Sequence, residues 1–228
     1  SNYVCGIFKV AIVGALQENQ IQHISDLSKA HCIKKPLEFK SDFCNKAGVI
    51  HIEKKDAVQT AIRIGKTLFN KNHKDFLDVS ILNTILGDYF GSRLMKNIRE
   101  DKGYTYGIGS LISESGGSGY LMIGSEVGKE HLQPTLKEIE KEMLLLCNET
   151  IGKEELGLVK NHLLGQMLKN SDGPYAMMDL FLSVESYGLS SDFYNSYIQR
   201  IHDIDASTIL KKANMYLNWS DMSVISAG

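Results

Sequence analysis

A chain of 228 residues is long enough to form one large domain or two small ones without a disulfide staple. Hydrophobic residues make up 43% and charged residues 23%, which excludes an intrinsically disordered chain. The formal net charge of -2 provides no positive field for nucleic acid, and no apolar run reaches the ~20 residues that span a bilayer. We therefore expect a soluble protein, cytoplasmic or periplasmic if bacterial, with neither a nucleic acid nor a membrane as partner.

The first elements are predicted from apolar periodicity. Residues 9–13 form a short apolar run that ends at Gly14, which predicts a buried strand. Apolar side chains then recur at helical spacing between residues 21 and 30. The β-rich segments 49–53 and 58–64 predict two strands, and the polar residues between them are interpreted as the turn of an antiparallel hairpin.

Helices flank a second predicted hairpin in the remainder of the chain. An apolar stripe from 75 to 86 predicts a helix that ends at Gly87, and a short helix is predicted over 92–99. Segments 104–112 and 119–127 predict a long hairpin. The helices predicted after it and a closing strand cover residues 132–146, 156–167, 176–187, 192–201, 206–217 and 222–225.

The order of these elements predicts the fold class. Strands that occur in hairpins, rather than alternating with helices, indicate an α+β fold with an antiparallel or mixed sheet and helices packed mainly on one side. The sequence has no internal repeat, low-complexity tract or proline-rich linker, so residues 1–228 are predicted to form a single domain. Aromatic residues in 192–197 are expected to make core contacts, with a partner surface as the alternative.

Metal-ligand spacing is absent from the sequence. The seven histidines lie at positions 23, 31, 51, 73, 131, 162 and 202, and none is four residues from another. Neither His-Glu-x-x-His nor His-x-x-Glu-His occurs, so no zinc site is predicted. The four cysteines, at positions 5, 32, 44 and 147, form no Cys-x-x-Cys pair and are interpreted as small buried hydrophobes. No metal or other cofactor is therefore predicted in this chain.

One block of sequence is specific enough to indicate a family. Leu-Asn-Thr-Ile-Leu-Gly-Asp-Tyr-Phe-Gly-Ser-Arg-Leu runs over 82–94, and Ile-Arg-Glu-Asp-Lys-Gly-Tyr-Thr-Tyr runs over 98–106. The block resembles the signature of the C-terminal half of insulinase/pitrilysin-type metallopeptidases and their processing-peptidase relatives. In that signature a helix ending in Leu-Gly leads to Ser-Arg-Leu and then to Arg-Glu-x-x-Gly-x-x-Tyr. The chain departs from it at Asp88 and Tyr89, where relatives carry smaller residues.

The resemblance implies the C-terminal, zinc-free half of a zinc metalloendopeptidase. Zinc is then expected in a partner half, in the same chain or a separate subunit, which binds it through His-x-x-Glu-His. The family's arginine and tyrosine map onto Arg99, expected to bind the substrate peptide, and Tyr106, expected to be catalytic. This half alone is expected to be inactive.

The chemistry of both residues suits these roles. A guanidinium can hold a peptide carbonyl or carboxylate, and a tyrosine hydroxyl can donate to a developing oxyanion. Tyr106 is predicted to share a strand face with Tyr104. The alternative interpretation makes Arg99 a helix C-terminal cap and Tyr106 a half-buried strand residue. The alternative function is a non-catalytic structural or peptide-binding homologue of the same fold.

Overall fold

The computed structural model describes residues 10–30, 46–115 and 118–228. Its helices and strands alternate less regularly than in a βαβ fold, and a π-helix covers Met95–Asp101. The strands are β1 (Gly48–Ile52), β2 (Gln59–Leu68), β3 (Thr105–Ser115), β4 (Ser118–Gly128) and β5 (Ser223–Ala227). The α-helices are α1 (Glu18–Ala30), α2 (Phe76–Leu86), α3 (Leu132–Asn148), α4 (Lys153–Asn170), α5 (Pro174–Glu185), α6 (Asp192–Asp203) and α7 (Ala206–Tyr216).

The strands form one five-stranded sheet in the order β1-β5-β2-β4-β3. Strands β1 and β5 are parallel, and every other neighbouring pair is antiparallel. This arrangement confirms the predicted α+β class with a mixed sheet. The long hairpin is also confirmed as β3 and β4, which extend beyond the predicted bounds.

The predicted hairpin of the first two strands is wrong. Strand β5 lies between β1 and β2, pairing Gly48 with Ser223 on one side and Ala61 with Ala227 on the other. The alternation of β5 buries Val224 on the core face, so the last strand completes the core where a hairpin partner was expected.

The predicted strand over residues 9–13 is also wrong within the described part of the chain. Residues 10–13 belong to no strand, and Val10 and Ile12 are exposed. A β-branched apolar run favours a strand only where another strand is available to pair with it. The helix that follows is confirmed as α1, although Ile21 and Leu27 on its apolar stripe are exposed.

The two faces of the sheet differ in environment. Strand β2 buries Ile62 and Ile64 on one face, and strand β4 buries Leu121 and Ile123 on the same face. The core side chains that pack against them come chiefly from α2, α3 and α4. On the opposite face the described residues leave exposed side chains, which are Gln59, Arg63, Tyr120 and Glu126. We call this second surface the open face.

A buried ionic network holds the start of α2 against α6 and α7. Lys212 Nζ lies 2.6 Å from Asp75 Oδ1 and 3.4 Å from Asp78 Oδ2, and Arg200 pairs with Asp78. The hydroxyl of Tyr216 donates to Asp75. Burial alone would raise the pKa of Asp75, but the hydrogen bonds from Lys212 and Tyr216 hold that pKa below its ordinary value.

Two glycines allow a matched test of how closely β2 and β4 pack. A Cβ at Gly65 in β2 would lie 2.5 Å from the carbonyl oxygen of Leu121, whereas a Cβ at Gly157 in α4 would meet nothing within 4 Å. We expect Gly65→Ala to lower the free energy of unfolding by about 1–3 kcal/mol. Gly157→Ala should raise it by about 0.5–1 kcal/mol, because alanine favours the helix. Urea denaturation of the two variants measures both effects, and equal stability of Gly65→Ala and the parent chain would contradict the strand packing.

Candidate functional site

The candidate site is a cleft of about 720 Å³ on the open face, where the loop after α2 meets strands β2, β3 and β4. The cleft contains Tyr106 and, from the loop, Asp88, Tyr89 and Phe90. The family-specific block of the sequence therefore folds around this cleft.

The end of α2 approaches β3 so closely that only glycine fits. Gly87 is the C-cap of α2, and its carbonyl oxygen accepts a hydrogen bond of 3.0 Å from the amide of Ser110 in β3. A Cβ at Gly87 would lie 2.6 Å from Ser110 Oγ. Ser110 Oγ in turn donates to the carbonyl of Asn83. The Leu-Gly pair of the motif thus fixes where the following loop leaves the helix.

The Ser-Arg-Leu segment anchors that loop to the rest of the domain. Ser92 and Leu94 are buried, with 1% and 0% of their surfaces exposed. Arg93 makes a two-pronged ion pair with Glu155 of α4, through Nε at 2.8 Å and Nη2 at 2.9 Å. Such a bidentate pair fixes orientation as well as position. These three residues have structural roles and leave the cleft to their neighbours.

The π-helix brings Arg99 to the start of β3. Asn97 donates to Glu138 and Glu142 of α3, and Ile98 is fully buried. After the π-helix, Gly103 adopts φ +67°, a conformation that glycine adopts without strain. The amide of Tyr104 then donates back to the carbonyl of Ile98. The predicted helix over 92–99 therefore exists in part, shifted toward the C-terminus.

Arg99 acts across this turn. Its Nε donates a 2.9 Å hydrogen bond to the carbonyl oxygen of Tyr106, and its guanidinium stacks over Phe90 at 4.7 Å from the ring centroid. The hydrogen bond recorded for Arg99 goes to the strand, so the helix-capping interpretation is not supported. Within the described residues, no carboxylate pairs with this guanidinium, and Arg99 itself is not among the residues that line the cleft.

Tyr106 projects from a β-bulge. Thr105 pairs with Val127 and Ile108 pairs with Ser125, so β3 has one residue more than β4 between these pairs. Thr105 Oγ1 donates to the carbonyl of Glu126 at 2.7 Å and fixes the bulge. The side chain of Tyr106 is 93% exposed.

The structure does not place Tyr104 and Tyr106 in equivalent positions. Tyr104 is half-buried and stacks on His131 at 4.7 Å between ring centroids, whereas Tyr106 is exposed. Tyr104 lies just before the first residue of β3, and Tyr106 lies in the bulge that follows Thr105, so the two-residue alternation of a regular strand does not relate them. The half-buried position offered as an alternative for Tyr106 is equally wrong.

Charged groups line the cleft beside Tyr106. Arg63 donates through Nη1 to the carbonyls of Ile62 and Ser125, at 2.8 and 3.4 Å. Burial raises the pKa of Asp88, and the nearby His162 opposes that shift. The sequence analysis did not name Arg63 as a site residue. The alternation of β2 could have indicated it, because Arg63 points to the face of the sheet away from the core-facing Ile62 and Ile64.

The described residues do not fit a metal ion. They contain no group of three or more histidine, cysteine, aspartate or glutamate side chains that could hold one. Cys147 is a free, half-buried cysteine whose thiol pKa is raised by burial, and the other cysteines lie outside the described residues. Within the described chain, no helix is both long and apolar enough to cross a bilayer.

Comparison with known sequences identifies relatives among zinc proteases. The family described as "Peptidase M16 inactive domain" matches residues 1–163, more than half of the chain. The "Uncharacterized zinc protease YmxG" of Bacillus subtilis (strain 168) is 29% identical over 125 residues, covering 55% of this chain and 31% of that protein. The "Uncharacterized zinc protease ML0855" of Mycobacterium leprae is 23% identical over 175 residues, 76% of this chain and 39% of that protein. The chain thus spans only about a third of these relatives' length.

Solved structures share the fold. An M16 inactive domain from Pseudomonas fluorescens aligns with TM-score 0.82 and 24% identity, covering 93% of this chain and 52% of that one. A protease from Helicobacter pylori aligns with TM-score 0.76 and 17% identity, over 90% and 52% of the two chains. At these identities the structures establish the fold, and the family match establishes the relationship that the sequence block indicated. The chain belongs to the family of inactive domains of M16, insulinase/pitrilysin-type, peptidases.

Proposed function

We propose that this chain is the substrate-facing, zinc-free half of a zinc metalloendopeptidase, and that it presents Tyr106 and Arg99 to a peptide held at a zinc site in another half. The observation that carries the proposal is the 93% exposure of Tyr106 on a strand that Arg99 and the Thr105 bulge hold in place. An exposed aromatic side chain on a backbone that hydrogen bonds hold in place is available for contact with another molecule.

The rest of the sequence block supports this interpretation by elimination. Gly87, Arg93 and Leu94 are explained by close packing or ion pairing with other residues of this chain. Ser92 is buried as well, although its Oγ has no hydrogen-bond partner among the described residues. Among the residues that the structure describes, no comparable contact covers the exposed ring of Tyr106. Its hydroxyl can donate one hydrogen bond to a peptide carbonyl whose oxygen gains negative charge, and the fixed backbone lowers the cost of orienting that donor.

Arg99 has two compatible roles in this proposal. Its Nε positions Tyr106 through the strand carbonyl, and its terminal nitrogens are available to a peptide carbonyl or carboxylate. The stacking on Phe90 restricts the guanidinium to one plane, which favours directional binding.

The sheet and the matched relatives support a peptide substrate and a zinc-bearing partner half. Strand β3 is the terminal strand beyond β4, but its outer edge is already bonded by Arg99 at the Tyr106 carbonyl and by Gly87 at the Ser110 amide. We therefore assign contact with a peptide to the open face around Tyr106 rather than to strand pairing. The matched relatives are named zinc proteases, and this chain covers 31% and 39% of the first two, which leaves length for a further half. Because the described residues do not fit a metal ion, we assign the zinc to that other half, in the same chain or a separate subunit.

Replacement of the tyrosine hydroxyl tests the catalytic assignment. In the full-length protein with its zinc-bearing half, we expect Tyr106→Phe to lower kcat about 100-fold, the usual effect of losing one oxyanion donor. Tyr175→Phe is the matched control, because Tyr175 is also exposed but lies on α5 outside the cleft. Peptide hydrolysis under saturating substrate measures both. Equal kcat for the parent and Tyr106→Phe would remove Tyr106 from catalysis and favour a non-catalytic homologue.

The two roles of Arg99 affect different kinetic constants: peptide binding affects KM, and positioning of Tyr106 affects kcat. We expect Arg99→Lys to raise KM about tenfold, because a lysine cannot reproduce the planar donors and loses about one charge-assisted hydrogen bond to the peptide. Lys96→Met, an exposed cation in the same π-helix, should leave KM unchanged. An unchanged KM with a reduced kcat in Arg99→Lys would assign Arg99 to positioning Tyr106 alone.

A further inference from the structure

Arg63 lies near the centre of the open face. It belongs to β2, the middle strand of the five, and points away from the core-facing Ile62 and Ile64. The residue is exposed, and it lines the cleft that contains Tyr106. Neither the family block of the sequence nor the roles proposed for Tyr106 and Arg99 account for a cation at this position.

The strands beside Arg63 carry no side chain at its level. Arg63 pairs with Gly124 of β4, and Gly124 pairs with Gly109 of β3. Residues paired across a sheet point to the same face, so this row of the open face holds one side chain followed by two bare backbone positions. A Cβ at Gly124 would lie 3.5 Å from Arg63 Nη1, so the guanidinium lies beside the bare backbone of β4. Both glycines line the cleft and leave room in it for another molecule.

Backbone hydrogen bonds orient this guanidinium. Its Nη1 donates to the carbonyl oxygens of Ile62 and Ser125, at 2.8 and 3.4 Å. Its Nε and Nη2 donate to no other residue in the part of the chain that the structure describes. A guanidinium has five N–H donors in one plane, so Arg63 keeps most of its donors for a partner.

No other charge in the cleft occupies Arg63. Two carboxylates line the same cleft, those of Asp88 and Glu126, but neither forms an ion pair with Arg63 within the described ranges. Arg63 is also the one cationic residue among the described residues that line this cleft. A ligand carboxylate that enters the cleft is therefore attracted to Arg63 and repelled by the two acidic side chains.

We propose that Arg63 binds a carboxylate of the substrate peptide, either an acidic side chain or the C-terminal carboxylate. This inference rests on the proposed function, because it concerns the same peptide that Tyr106 is proposed to contact. With Nη1 bonded to the backbone, Nε and Nη2 can bind the two carboxylate oxygens side by side. Arg93 binds Glu155 in that way elsewhere in this chain, through Nε at 2.8 Å and Nη2 at 2.9 Å.

The sheet register gives the distance between Arg63 and Tyr106. Arg63 is level with Gly124, and Tyr106 lies two strands away, between the residues of β3 that pair with Val127 and Ser125. Two interstrand spacings and an offset of about 2–3 residues along the strand give a separation of about 12–14 Å. An extended peptide covers about 3.3–3.6 Å per residue, so this separation corresponds to about four residues.

The position of the carboxylate relative to the cleaved bond tests this geometry. In peptides cleaved by the full-length protein with its zinc-bearing half, we expect the carboxylate that improves binding to lie about 3–5 residues from the cleaved bond. Mass spectrometry of the fragments locates the cleaved bond. A preference for a carboxylate directly beside that bond would contradict the assignment to Arg63.

Peptide binding without turnover tests the proposal independently of catalysis. The reference is an uncharged peptide with a fluorescent label at its N-terminus and an amidated C-terminus. Matched peptides carry one Glu in place of Gln at successive positions, or a free C-terminal carboxylate. Fluorescence anisotropy measures their binding to the full-length protein, with activity blocked by a metal chelator.

We expect at least one of the matched peptides to bind about tenfold more tightly than the reference, because it gains a charge-assisted bidentate pair. A gain with Glu assigns Arg63 to an acidic side chain, and a gain with the free C-terminus assigns it to the terminal carboxylate. Equal binding of all the peptides would overturn the proposal. An inactive full-length protein would refute the peptidase proposal and leave this test intact.

Variants identify the cation that binds. Arg63→Gln should abolish the tenfold gain and leave the affinity for the uncharged reference unchanged. Lys137→Gln is the control and should keep the gain, because Lys137 is exposed on α3 and lies outside the cleft. Far-UV circular dichroism establishes that each variant is folded.

Two results with folded Arg63→Gln would overturn the proposal. A gain that persists would place the carboxylate on another cation, such as Arg99, and equal weakening of all the peptides would give Arg63 a purely structural role. If Arg63→Gln does not fold, Arg63→Lys decides instead, because a lysine cannot form the bidentate pair and should lose most of the gain. A full gain in Arg63→Lys would contradict the proposal.

Discussion

The close approach of α2 to β3 determines the geometry of the candidate site. Because Gly87 has no side chain, its carbonyl reaches the amide of Ser110, and the helix ends against the middle of the strand. The loop that follows must then cross the start of β3, where Arg93 fixes it to α4. Arg99 closes the arrangement by bonding the carbonyl of Tyr106. A bulkier residue at Gly87 would displace the loop that follows and the contacts of Arg93 and Arg99 that depend on it.

Strand β3 runs through two different environments. Tyr106 lies near the first end of β3 and Glu114 near the other, eight residues further along the chain, which corresponds to about 25 Å in an extended strand. Tyr106 is exposed on the open face, whereas the side chain of Glu114 is buried among helices. One end of β3 is therefore accessible to another molecule, whereas the side chain near its other end is covered by this chain.

Much of this fold is predictable from local pattern, and the reasons for the exceptions are physical. Apolar spacing predicts α2 and the helices that follow the β3–β4 hairpin. Gly87 marks the end of α2, and Gly103 marks the turn before β3. The parallel pairing of β1 with β5 joins segments 175 residues apart, as in the contact of His51 with Ser226, and no local signal encodes it.

The local structure around Arg99 and Tyr106 differs from what the sequence pattern predicts. The motif identified Arg99 and Tyr106, but periodicity could not anticipate the bulge at Thr105, which separates Tyr106 from Tyr104. The π-helix likewise depends on Asn97 bonding to carboxylates of α3, a tertiary contact. A second cavity, between α2, the far end of β3, α5 and α6, has no sequence signature either, because its walls come from elements that are distant along the chain.

The central claim is that Tyr106 meets a peptide supplied from outside this chain. The most direct measurement is an experimental structure of the full-length protein with its zinc-bearing half and an uncleaved peptide analogue. The account predicts that the Tyr106 hydroxyl lies within hydrogen-bond reach of a peptide carbonyl at the metal, with the open face turned toward the other half. A structure in which Tyr106 faces bulk solvent, or in which the other half packs against the helices instead, would contradict it.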